Sequence, residues 1–282
     1  MFLLLPPNFQ TAHANFQLIE LGYDDCEPDG GVSDLANRTY GWGVLFNHPA
    51  PGWPFLVVYV KLYIYDIRGT GGLLRIFIYD YAPNIGKYVK VFEVVEGNLS
   101  TGWNQIDFKE NRVFVKQDFI IGVNWAKNYT LFLGDDYDTR CHSGGFNTTR
   151  TTNFEHFDER NFMIRVILEK SVVASIKVAP CELNLRSKGN WITVGINLPE
   201  DLELSEVVLD SIRINGTLQV ELHPLRYNNK NNSYELMIKL RRAAIEDFLL
   251  RALPTGKASF ILTGFFSDGK VFYGELQMKM HS

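Results

Sequence analysis

Cysteine is scarce in this chain, histidine is scattered, and no apolar stretch is long. Three cysteines, Cys26, Cys141 and Cys181, stand in 282 residues. They are too few for a disulfide framework, and the lack of a C-x-x-C pair argues against a zinc ribbon or a dithiol redox motif. The six histidines, His13, His48, His142, His156, His223 and His281, hold no metal-ligand spacing to one another. No apolar run approaches the roughly 20 residues of a membrane-spanning helix. A net charge of −4 and a pI near 5.9 supply no basic field for nucleic acid or anionic lipid. Local catalytic templates are missing as well: no GxSxG elbow, HExxH, Walker A loop or GxGxxG after a strand. Partners of a serine or cysteine nucleophile meet only in the fold, so that search bears on contiguous motifs alone.

What is present is β-forming material. With 46% apolar and 21% charged residues the chain can build real cores, and its length suits two ordinary domains. Period-2 alternation and β-branched or aromatic runs recur between Gly, Asn, Asp and Pro clusters. They predict strands at Gly41–Phe46, Phe55–Asp66, Leu73–Asp80, Val89–Val95, Trp103–Phe108, Phe119–Trp125, Leu131–Gly134 and Phe162–Leu168. The runs KLYIYDI and RIFIYDY are almost continuously apolar, which suits strands covered on both faces. Eight strands with short polar turns predict a jelly-roll-like β-sandwich over residues 1–170.

The texture changes near Glu169-Lys170. Of the 18 Trp and Tyr residues, 14 precede position 170. Residues 1–170 carry 15 basic and 20 acidic side chains, whereas 171–282 carry 13 and 12. A second strand series follows, at Trp191–Asn197, Ser211–Ile214, Val220–Leu222, Glu235–Leu240, Lys257–Phe266 and Val271–Met280. One helix is predicted over Arg241–Leu253, stopped by Pro254 and Gly256. This spacing predicts an Ig-like sandwich with one short helix over 171–282. The fold expected is all-β, two tandem sandwiches.

Compartment is read from two features. The N-terminus, MFLLLPPNFQTAHANFQ, pairs a short apolar cluster with an A-x-A triplet. The apolar core is too short for a signal peptide and no basic region precedes it, so the stretch is either the remnant of a mis-assigned start or a short apolar arm packed on the fold. Glycosylation acceptors occur at Asn37, Asn98, Asn128, Asn147, Asn215 and Asn231, where chance supplies about three. Common Asn and Thr in β-protein loops would also produce sequons. The expectation is an extracellular or cell-surface glycoprotein without a membrane span.

In the second half, Leu183-Asn184-Leu185, Ser187-Lys188-Gly189, Asn215-Gly216, Leu262-Thr263-Gly264, Asp268-Gly269, Phe272 and Gly274 occur in order over about residues 173–280. This series resembles an Ig-like module of secreted bacterial and archaeal surface proteins. The module's acidic DxDGDG loop, which looks like a calcium loop, is here Tyr227-Asn228-Asn229-Lys230-Asn231-Asn232-Ser233. Amides and a cation do not supply the carboxylate oxygens calcium needs, so the metal is not carried over. In the first half, LGYDDCEPDGG, YGWGVLFNHP, STGWNQIDF, DFIIGVNW and the run from Arg160 to Arg165 resemble an accessory β-sandwich found beside proteases and surface domains. Cys26 stands where that module usually has glycine. Both resemblances imply appended, non-catalytic, extracellular modules.

Three groups of candidate site residues follow. The acidic stretches with Asp24, Asp25 and Asp29, and with Asp135, Asp136 and Asp138, offer oxygen ligands on turn-forming chain, as calcium requires; ordinary solvated turns are the plain alternative. A Cys26–Cys141 bridge would hold these stretches together, with three unpaired thiols as the alternative. Trp53, Tyr81, Tyr88 and Tyr137 neighbour turn residues, and exposed rings there can stack on sugar; aromatics also simply fill cores. The function expected is a non-enzymatic binding or structural protein whose partner is a glycan or a surface protein. Two alternatives are an accessory piece of a secreted protease or glycosidase, and a subunit of a surface layer or filament.

Overall fold

The computed structural model describes residues 18–24, 27–32, 40–68, 73–127, 131–136, 142–156, 161–184, 189–199, 202–220, 236–246 and 257–281. These divide into two compact units, Leu18–Ser171 and the residues from Val172 onward. Both are built from antiparallel sheets, and the chain is all-β apart from short helical pieces. The predicted helix is seen at residues 242–246; the rest of its range lies outside the described residues. So do residues 1–17, which hold the N-terminal arm.

In chain order the first unit carries β1 (Leu18–Leu21), β2 (Gly30–Val32), β3 (Tyr40–Phe46), β4 (Phe55–Ile67), β5 (Leu73–Ala82), β6 (Lys87–Glu96), β7 (Gly102–Asp107), β8 (Phe114–Val115), β9 (Phe119–Lys127), β10 (Leu131–Asp136), β11 (Ser143–Asn147), β12 (Thr151–Thr152), β13 (Phe154–His156), β14 (Asn161–Phe162) and β15 (Ile164–Lys170). An eight-stranded sheet runs β1-β15-β4-β10-β14, with β2 added to β10 and β7 and β8 added to β4. A seven-stranded sheet runs β12-β6-β5-β9-β3-β11-β13. From β3 to β15 the chain crosses between the sheets at most connections, β5–β6 being a hairpin within one sheet, which is jelly-roll-like wiring.

Alternation explains the core. Val60, Leu62 and Ile64 of β4 meet Leu74, Ile76 and Ile78 of β5 and Ile121, Val123 and Trp125 of β9 in one buried cluster. Each such aliphatic side chain contributes about 1.5–3 kcal/mol by leaving water. The two runs read as doubly covered differ in outcome. On β5 the outer residues Phe77 and Tyr79 are buried under Phe146 and Phe154, so that strand is covered on both faces. On β4 the outer residues Tyr59, Lys61 and Tyr63 are half-buried and Tyr65 is exposed. Large amphipathic rings supplied the apolar signal there without a second covering layer.

The second unit carries β16 (Val172–Val173), β17 (Ser175–Ala179), β18 (Glu182–Asn184), β19 (Trp191–Asn197), β20 (Val207–Ile214), β21 (Leu218–Gln219), β22 (Leu236–Arg241), β23 (Lys257–Phe266) and β24 (Val271–His281). One sheet runs β16-β24-β23-β20-β21 with β18 beside β24, and the other runs β17-β19-β22. β16 and β18 pair in parallel with β24, while β17 pairs antiparallel with β19 in the opposite sheet. A first strand shared between two sheets and lying parallel to the last is Ig-type wiring. Ile192, Val194, Ile212, Leu236, Phe260 and Phe272 fill the space between the sheets. Asn215 and Gly216 both take positive φ, 47° and 72°, as the turn linking β20 to β21 requires. Strand β20 begins at Val207, earlier than expected, and Val220 follows β21 rather than starting a strand.

Ser171 closes the first unit. Its amide donates to Pro54 O at 3.2 Å, and its carbonyl accepts the Trp53 indole N–H at 2.9 Å.

Candidate functional site

At one end of the first sandwich, the segment 116–118 enters β9 and ties three neighbouring pieces of chain together. Asp80 continues the inward-facing register of Leu74, Ile76 and Ile78 on β5, and its carboxylate reaches part-buried backbone amides. It accepts Lys116 N at 3.2 Å and Gln117 N at 3.0 Å. Lys116 O accepts Gly52 N at 2.6 Å, and Asp118 O accepts Tyr81 N at 3.0 Å. The Asp118 carboxylate accepts His48 N at 2.8 Å. The loop before β4, the end of β5 and the entry to β9 therefore form one hydrogen-bonded body.

Two titratable groups inside it are perturbed. Burial pushes the Asp80 carboxyl up to about 6, against the opposing pull of its amide donors. His48 is buried; Ala50 N donates to its Nδ1 at 3.1 Å, leaving Nε2 as the proton carrier facing Val115 O at 3.2 Å. Burial lowers its pKa, because a charged ring would be taken out of water.

Rings stand around this body. Trp53 is 40% exposed, yet it is fixed by its bond to Ser171 O and by the Lys170 ammonium 4.6 Å from the ring centroid. Tyr81 and Tyr88 face each other across the β5–β6 ladder, centroids 5.2 Å apart. Both are half-buried, and burial pushes the Tyr88 hydroxyl up to about 12. Held rings beside carboxylates, an ammonium and an amide can stack on a sugar and accept or donate to its hydroxyls.

The acidic stretches adjoin each other. Asp29 N donates to Asp135 O at 2.9 Å, and β2 pairs with β10 so that Gly30 faces Asp135. The Tyr23 and His142 rings stack at 3.6 Å. His142 N donates to Asn161 Oδ1 at 2.7 Å, and Asn161 faces Asp136 across β10–β14. The ring of His142 has a lowered pKa, first from burial and then from His156. Asp24 is committed elsewhere: its enclosed carboxylate is bound by the Arg165 guanidinium, whose Nη2 lies 2.5 Å away. Asp135 and Asp136 are buried. Among the described residues no group of three or more His, Cys, Asp or Glu is gathered for a metal. Asp25, Cys26, Tyr137, Asp138 and Cys141 lie outside the described residues.

Of the sequons, Asn98 and Asn147 are exposed. Asn215 is half-buried, and its Oδ1 accepts Ile261 N at 2.8 Å. Asn37, Asn128 and Asn231 lie outside the described residues. No helix among the described residues is long and apolar enough to cross a membrane.

Sequence reasoning passed over Asp80, Asp118, His48, Lys170 and Arg165. A signal existed for the first: in Leu74, Ile76, Ile78, Asp80 a carboxylate continues an inward-facing apolar register. The others act through contacts distant in sequence.

Comparison with protein-family models and with curated proteins finds no match to the chain.

Proposed function

We propose that this chain is a non-catalytic, extracellular or cell-surface binding protein whose first sandwich recognises a glycan through the loop end around segment 116–118. The second sandwich serves as an Ig-like spacer or docking module of the kind its motifs resemble. The carrying observation is Trp53: a partly exposed indole fixed by the Ser171 carbonyl and the Lys170 ammonium. Holding an aromatic group rigid before a ligand arrives lowers the ordering cost of binding. An extracellular address agrees with the exposed sequons Asn98 and Asn147. The test is a glycan array probed with the full chain and with Trp53→Ala. Binding that the variant loses supports the proposal; unchanged binding removes Trp53 from it.

A second reading rests on the adjacency of Asp29 and Asp135. Calcium held by the neighbouring acidic stretches, including Asp25 and Asp138, would brace this part of the sandwich, and a Cys26–Cys141 bridge would lock it. Adding EDTA would then lower the melting temperature by several degrees. No shift removes the metal.

A further inference from the structure

The outer face of the eight-stranded sheet carries a group of neighbouring aromatic side chains. Tyr63 and Tyr65 point outward from β4, and Trp103 points outward from β7 directly opposite Tyr63. Trp103 is 37% exposed and Tyr65 45% exposed. The Tyr63 and Trp103 rings meet edge to face, centroids 5.5 Å apart at 80°. The tyrosine rings lie against glycine backbone. A Cβ on Gly31 would stand 2.8 Å from the Tyr65 ring atom Cδ1, and one on Gly134 would stand 2.7 Å from Tyr63 Cδ1. The two glycines on β2 and β10 thus leave the space those rings occupy. Trp103 is steadied by the Arg165 guanidinium 4.8 Å from its centroid.

Polar groups of both signs are interleaved with the rings. Lys61 bonds Glu20 at 3.1 Å, and Arg165 binds Asp24 and approaches Glu20 at 3.6 Å. Lys61 and Arg165 balance Glu20 and Asp24, and the exposed Asp107 of β7, opposite Tyr59, adds one carboxylate, so the face offers no strong field to a polyanion or a polycation. Interleaved charge is also unlike the charge-depleted centre of a protein–protein interface. A neutral hydroxylated ligand matches both properties: its apolar ring faces pack on aromatic rings, while its hydroxyls meet Lys61, Glu20 and the amide of Gln105.

We propose that the Tyr63–Tyr65–Trp103 face binds a neutral oligosaccharide chain, at a site separate from the loop end that holds Trp53. The experiment is affinity electrophoresis of the full chain through gels containing a soluble β-glucan, a mannan, a galactan or a xylan. Wild type is run beside Trp103→Ala, Tyr65→Ala and Trp53→Ala. The expected result is retardation of wild type in at least one gel, weakened at least 10-fold by Tyr65→Ala and Trp103→Ala, with Trp53→Ala reading the loop-end site separately. Circular dichroism checks that each variant is folded, and Tyr65→Phe, which keeps the ring, retains binding. Retardation untouched by Tyr65→Ala and Trp103→Ala overturns the site. Loss confined to Trp53→Ala overturns it too, and leaves the loop-end proposal standing. No retardation in any gel overturns it, as does a dimer in sedimentation that Trp103→Ala dissociates, because the occupant is then a second copy of the chain.

Discussion

Replacing Asp80 by asparagine should stabilise the first sandwich at neutral and alkaline pH. The carboxyl is pushed from 3.8 to about 6 because burial penalises its charge more than the Lys116 and Gln117 amides reward it. At ~1.4 kcal/mol per pKa unit the full shift is worth about 3 kcal/mol. Asp80 is only half-buried, and solvent screening reduces this to about 1–2 kcal/mol. The sign follows from linkage: the raised pKa means the fold prefers the neutral acid. Wild type therefore gains stability as pH falls through 6 toward 4 and lacks that gain above 6. Asparagine is neutral throughout, and its Oδ1 can still accept the two amides. The variant should exceed wild type by about 1–2 kcal/mol at pH 8 and match it near pH 4. Urea unfolding followed by tryptophan fluorescence suits the question, since Trp42, Trp53, Trp103 and Trp125 lie in the first unit and Trp191 alone in the second. A variant less stable than wild type by one constant amount from pH 4 to pH 8 would refute the reasoning. The amide bonds would then outweigh burial, and the carboxylate would be a stabilising cap.

His48 behaves oppositely: its folded pKa lies below the usual 6.5, so its contribution is complete above 6.5 and is lost as pH falls through the lowered value. Its imidazole resonances in NMR should titrate below 6.5; titration above that value contradicts the buried neutral ring. Arg165→Ala strips the enclosed Asp24 carboxylate of its guanidinium and should cost ~3 kcal/mol or more in urea unfolding; a cost under ~1 kcal/mol would mean that solvent reaches Asp24. Thiol titration of the denatured, unreduced chain should find one free thiol, Cys181, if Cys26 and Cys141 are bridged. Three free thiols remove the bridge.

The β-rich class and most long strands were legible, because alternation and hydrogen-bonded ladders share a period of two. β3, β4, β5, β6 and β9 fall close to their expected ranges. Short strands such as β2, β12 and β14 were not legible. Two or three residues carry no period, and their pairing is decided by partners far along the chain. Trp53 is exposed beside its turn as expected, whereas Tyr81 and Tyr88, expected to be exposed, lie half-buried against each other on β5 and β6. The body that links their segments was not legible: Gly52 to Lys116, Asp80 to Gln117 and His48 to Asp118 are all long-range bonds. The outer β4 face misled for a physical reason. Tyr59, Tyr63 and Tyr65 read as apolar in a window, yet a tyrosine can lie on a sheet with its hydroxyl in water. The acidic stretches suggested oxygen ligands, but Asp24 answers to Arg165, a cation contributed by a strand more than a hundred residues away.

Hydrogen–deuterium exchange of the full chain, with and without a glycan selected on the array, tests most directly whether this protein works by holding a sugar. Binding should slow exchange in peptides covering residues 47–54 and 80–88, or 59–65 and 102–107, and leave the β23–β24 hairpin unchanged. Protection confined to the second sandwich, or none anywhere, would contradict the account.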